Sequence, residues 1–159
     1  MKVLEKRSRY RTMFDEAIIS LDKSLTALSH SDQKCSQIIK PSGKYSLDEQ
    51  ESFEALASRF ARSSDILTQK VIKTLFILME EDIKTIIDGA NFLEKLEIID
   101  GADDLLNIRA IRNQIAHDYI HDDLKKFYQE IIDFIPMLNQ IADAVKKFYR
   151  AKFTSRTAL

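Results

Sequence analysis

Apolar side chains recur at steps of three and four along most of this chain, and nowhere does apolar alternate with polar as in a half-buried strand. Tyr10, Phe14, Ala17 or Ile18, Leu21, Leu25 and Leu28 keep that step, so residues 4–30 are expected to form an amphipathic helix with one buried stripe. The segment from Ser31 to Tyr45 holds Pro41, Ser42 and Gly43 and reads as a loop. Ser46 and Glu49 then make a capping box, since each side chain can accept the backbone N–H of the other at a helix start. Behind it Phe53, Leu56, Phe60, Leu67, Val71, Leu75 and Leu78 stay in phase until the acidic run Glu80, Glu81, Asp82, with a stop expected at Gly89. A short helix over residues 91–99 ends at Gly101, and Asp103 is placed to cap a helix carrying DDLLNIRAIRNQIAHDY. Asp122 or Asp123 caps a last helix reaching the tail, with a kink expected at Pro136. The pattern predicts an all-α, up-and-down bundle of four to five helices forming one domain over 1–159, with 151–159 as a flexible basic tail.

Composition agrees. Three glycines and two prolines leave room for few tight turns. A chain of 159 residues can bury about 70% of the surface its unfolded form exposes, so the fold needs no staples. Its single cysteine, Cys35, cannot close an internal disulfide and has no neighbouring histidine or basic cluster to activate it, which makes it a passive loop residue. Without a charged-then-apolar leader or a run of about 18 apolar residues, the expectation is a soluble, cytoplasmic protein that does not enter a membrane. The net charge is −1, yet Lys2, Lys6, Arg7, Arg9 and Arg11 crowd the front, and Lys146, Lys147, Arg150, Lys152 and Arg156 the back. If the first and last helices lie side by side, those ends form one positive patch for a polyanion; the alternative is a solvated fringe of frayed ends.

The unusual chemistry sits in RNQIAHDY, residues 112–119. On a helix Asn113 and His117 stand one turn apart, while Arg109, Arg112 and Tyr119 share a second face. Arg112 and His117 are five apart, so their Cβ directions diverge by about 140°. Either the helix ends near the histidine, or facing copies of this helix across a two-fold axis bring two arginines and two histidines into one cleft. Ile108, Ile111 and Ile115 are candidates to seal such a dimer contact. An imidazole titrating near pH 6.5 can take a proton from a hydroxyl and return one to a leaving group. A guanidinium fork suits phosphate oxygens and the charge of a phosphoryl transition state. Together they suffice for metal-free cleavage of RNA, whose 2′-hydroxyl is the built-in nucleophile, with Asn113 orienting the histidine or holding a phosphate and Tyr119 stacking or donating a hydrogen bond.

The motif Arg-Asn, three residues, His, any residue, Tyr resembles the HepT-like branch of the HEPN superfamily, and the long helix rich in aromatic and aliphatic positions followed by the run IIDGANFLEKLEIIDGADDLLNIRAIRNQIAHDY resembles the middle and late helices of that family over about residues 50–150. That resemblance implies a small helical bundle acting as a homodimeric, RNA-cleaving toxin that needs no cofactor. It also implies a small nucleotidyltransferase partner, the antitoxin, which attaches AMP to the motif tyrosine. Carried over by position, the catalytic pair is Arg112 and His117, the polar companion is Asn113 and the modified tyrosine is Tyr119. The competing class is a non-catalytic module of the same fold that binds a nucleotide or substrate for a nucleotidyltransferase.

Other groups read more plainly. His117, Asp118, His121 and Asp122 have metal-ligand spacing, but a helix end followed by a cap explains them better, since Asp122 serves better as an N-cap. Glu80, Glu81 and Asp82 read as a solvated helix face. Phe127, Tyr128, Phe134, Phe148 and Tyr149 fall at helical spacing among Ile and Leu and are assigned to core and interface, not to base stacking.

Overall fold

A computed structural model describes residues 2–117 and 123–154, and every element among them is helical. The order is α1 (Lys2–Ile38), α2 (Leu47–Asp65), a π-helical stretch (Ile66–Ile72), α3 (Lys73–Leu78), α4 (Ile86–Lys95), α5 (Ala102–Ala116), α6 (Leu124–Tyr149) and a terminal π-helical stretch (Arg150–Thr154). The expected all-α bundle is what forms. α1 runs antiparallel to α2, with Ser24 Oγ 2.6 Å from Ser63 Oγ, Arg59 donating to Ser31 Oγ at 2.8 Å and the Cys35 thiol donating to the Ser52 carbonyl at 3.4 Å. The predicted stripes face inward: Phe14, Leu21 and Leu28 of α1 and Phe53, Leu56 and Phe60 of α2 are fully buried, as are Leu67, Val71 and Leu75 beyond them. Burial of each such side chain contributes about 1.5–3 kcal/mol.

The structure moves several boundaries. α1 continues to Ile38, so the loop expected from Ser31 shrinks to residues 39–46. The stripe beyond Leu28 is carried by the small Ser31 and Cys35, both buried against α2, so no large apolar residue advertises it. Cys35 is therefore a buried helical residue, not a loop one, and burial pushes its thiol up to about 11. The Ser46–Glu49 capping box is present as expected, with Glu49 N–H donating to Ser46 Oγ at 3.2 Å and Ser46 N–H to Glu49 Oε2 at 2.9 Å. Asp123 caps α6, its Oδ1 accepting the Lys126 N–H at 2.9 Å, and α6 is one helical span through Pro136. Residues 151–154 continue as helix with Phe153 buried, so the tail is not free from 151 onward; residues 155–159 lie outside the described part.

Gly89 does not stop the long helix; it lies inside α4, where a Cβ would meet Phe76 Cε2 at 3.0 Å. The stop comes at Glu80, in the left-handed region with φ 61°: its N–H donates to the Ile77 carbonyl at 3.1 Å and that of Glu81 to Phe76 at 2.9 Å. α4 ends the same way at Glu97, φ 57°, with Glu97 N–H on Glu94 and Ile98 N–H on Leu93. A glutamate in a position that suits glycine hides both ends from a sequence reading. It also costs about 1 kcal/mol, so Glu80→Gly is expected to raise the melting temperature by about 2–4 °C; an unchanged or lower value in calorimetry would refute that strain. Asp103 does not cap α5 either. The N-cap is Gly101, and Glu94 Oε2 accepts the first helical N–H, that of Ala102, at 2.6 Å.

Candidate functional site

α5 buries Leu105, Ile108 and Ile111 along one side and thereby fixes where its polar side chains project. Ile108 and Ile111 belong to the chain's own core, so the dimer-sealing role expected of them falls away; Ile115 is only partly buried. The helix ends at Ala116, and His117 is the residue that closes it, its N–H donating to the Asn113 carbonyl at 3.2 Å. Of the two arrangements the sequence leaves open, the helix does end at the histidine. Both Asn113 and His117 are exposed.

Arg112 is held differently. Its Nε donates to Asp65 Oδ1 at 2.7 Å and its terminal nitrogen to Oδ2 at 2.8 Å, a two-pronged clamp across to the end of α2. Arg109, one turn earlier on α5, donates to the same Oδ1 at 3.2 Å. One carboxylate thus aligns two guanidiniums, which leaves the cluster with a surplus positive charge. The Arg112 hydrogen bond first, and then the two positive charges, hold the Asp65 carboxyl below the ordinary carboxylate range against the opposing effect of desolvation. The same bond raises the Arg112 guanidinium further above its usual value. The side chains of Arg109, Arg112 and Asp65 are 27%, 28% and 37% exposed, so the cluster is partly shielded from water.

Asp65 is the residue that sequence reasoning missed. It stands in the polar stretch ARSSD where α2 passes into its π-helical turn, outside any periodic signal and 47 residues from Arg112. A faint signal existed: two arginines at a helical spacing of three, half facing the core, call for a carboxylate from a neighbouring element. Nothing described lets Tyr119 be placed, since it lies outside the described residues together with Asp118, His121 and Asp122; the metal spacing of that segment falls there too. Among the described residues no group of three His, Cys, Asp or Glu side chains is arranged to hold a metal ion, and no helix is long and apolar enough to cross a membrane.

The site defined by these elements is a paired-arginine clamp on one carboxylate, with an exposed histidine closing the same helix five residues after Arg112, in an all-α bundle. No protein-family model, no curated protein and no solved structure matches this chain.

Proposed function

We propose that this chain is the RNA-cleaving toxin of a toxin and antitoxin pair, working without a metal as a homodimer. The observation that supports the reading is the set RNQIAH, residues 112–117, at the end of α5, in which Arg112 is clamped by Asp65 while His117 stands exposed one helical turn after Asn113. His117 takes the proton of the RNA 2′-hydroxyl, whose oxygen forms a bond to phosphorus as the bond to the 5′-oxygen breaks. A proton returned by imidazole leaves with that 5′-oxygen. The products are a 2′,3′-cyclic phosphate and a 5′-hydroxyl. Arg112 stabilises the charge on the phosphoryl oxygens, and Asn113 orients the imidazole or the phosphate.

The partner in this reading is a small nucleotidyltransferase that attaches AMP to Tyr119. In this reading the AMP phosphodiester competes with RNA for guanidinium donors and for the space of a substrate nucleotide, so it opposes RNA binding twice. Intact mass after co-expression with such an enzyme tests the pairing. AMP increments that vanish in Tyr119→Phe, together with the loss of growth rescue, are expected. Full rescue of Tyr119→Phe would refute the switch.

A further inference from the structure

We propose that the end of the bundle where α1 begins and α6 finishes is a docking surface for the phosphate backbone of single-stranded RNA, separate from the Arg112 clamp. The inference rests on RNA being the substrate and adds a second place where it is gripped. The two chain ends do lie side by side. Phe14 stacks on Tyr149 with ring centroids 3.9 Å apart, and the guanidiniums of Arg7 and Arg11 stand 5.8 and 6.0 Å from the centre of the Phe153 ring. Phe153 is itself buried and fixed against Tyr149, so it holds both arginines with reduced freedom, as a preformed charge site requires.

Residues 2–11 and 147–154 together carry eight lysines and arginines against one acid, Glu5. Since the whole chain sums to −1, the rest of it carries a net negative charge, and the positive charge is concentrated in these two stretches. Among the described residues none of those eight basic groups is in an ion pair, whereas the neighbouring Lys146 is neutralised by Asp22 at 2.7 Å. The nitrogen Nε of Arg11 is buried with no hydrogen-bond partner. Unneutralised positive charge of this density favours a polyanion whose counterions it releases. The apolar complement is small, Val3 and Leu4 alone being large and well exposed at the start of α1. A bilayer-seeking helix needs a whole apolar face, so the chemistry matches a nucleic-acid backbone and not a lipid surface.

The test is fluorescence anisotropy with a labelled single-stranded 2′-O-methyl oligoribonucleotide, which lacks the nucleophile and stays intact, titrated with the full chain over a salt series. With about four phosphates neutralised at ~0.7 each, log affinity against log salt is expected to fall with a slope of about −3. In Arg7→Glu/Arg150→Glu/Lys152→Glu the slope is expected to flatten to about −1 or less, with affinity lowered at least about tenfold. The variant Lys34→Glu/Lys44→Glu/Lys70→Glu makes the same charge change at exposed positions elsewhere and is expected to keep the parent slope. Should the first variant not fold by circular dichroism, Arg150→Gln/Lys152→Gln at two exposed positions carries the comparison with a smaller flattening. Equal loss in the patch and control variants would overturn the inference, as would a parent that ignores the oligonucleotide or binds phosphatidylserine vesicles in its place. Because the readout is binding of an uncleavable strand, its failure leaves RNA cleavage to be judged by its own assay.

Discussion

His117→Ala is expected to lower RNA cleavage by about a hundredfold to ten-thousandfold, the usual worth of a positioned acid and base. The side chain is exposed at the end of α5, and the backbone N–H that closes the helix on Asn113 is kept by alanine. Turnover is expected to collapse in protein that circular dichroism shows to be folded. Arg112→Ala is expected to fall as far in cleavage, through loss of charge stabilisation at the phosphoryl group. A His117→Ala protein that cleaves RNA at the parent rate would remove this histidine from the chemistry.

The second large effect is expected at Asp65, which touches no substrate and acts by positioning Arg112. Asp65→Asn replaces a two-oxygen acceptor with one oxygen and an N–H donor that faces the guanidinium's own donors, so the clamp opens. A misplaced guanidinium is expected to cost on the order of a hundredfold in kcat. Stability should change far less, because an ion pair this exposed contributes about 1 kcal/mol or less. A purely structural aspartate would show the reverse, a lowered melting temperature with kcat preserved in the folded fraction. Rescue by Arg112→Ala is not expected, and the double variant should be no worse than Arg112→Ala alone, since Asp65 works through that arginine. The pH dependence has a defined sign. Asp65 is held below its ordinary range, so the clamp's contribution is fully present above the unfolded carboxyl value near ~3.9 and is lost as pH falls through the lower folded value. The clamp is thus intact across the neutral range, and any activity change there arises elsewhere.

Much of the fold could be read from the apolar stripes, because Phe14, Leu21, Phe53, Phe60 and Leu75 are large and recur at helical spacing. Where the stripe passes to small polar groups, as at Ser31 and Cys35, the reading ended α1 too early. Where a helix stops on a left-handed glutamate, as at Glu80 and Glu97, residue type pointed past the true end to Gly89 and Gly101. The candidate site was half legible. Arg112, Asn113 and His117 stand close in sequence, and their helical spacing could be counted, but the partner that aligns Arg112 comes from another element. Pairing between helices leaves no periodic trace in one sequence. The isoleucines of α5 illustrate the converse, since their stripe was visible while the surface they bury, the chain's own core, was not.

The central claim is cleavage by the RNA's own 2′-hydroxyl without a metal, and the ends of the product report it most directly. Purified chain, incubated with a defined single-stranded RNA in excess EDTA and analysed by mass spectrometry, is expected to give fragments ending in a 2′,3′-cyclic phosphate and fragments beginning with a 5′-hydroxyl. Those products should be absent with His117→Ala. Intact RNA, or fragments carrying 3′-hydroxyl and 5′-phosphate ends that form only when a divalent metal is restored, would contradict the account.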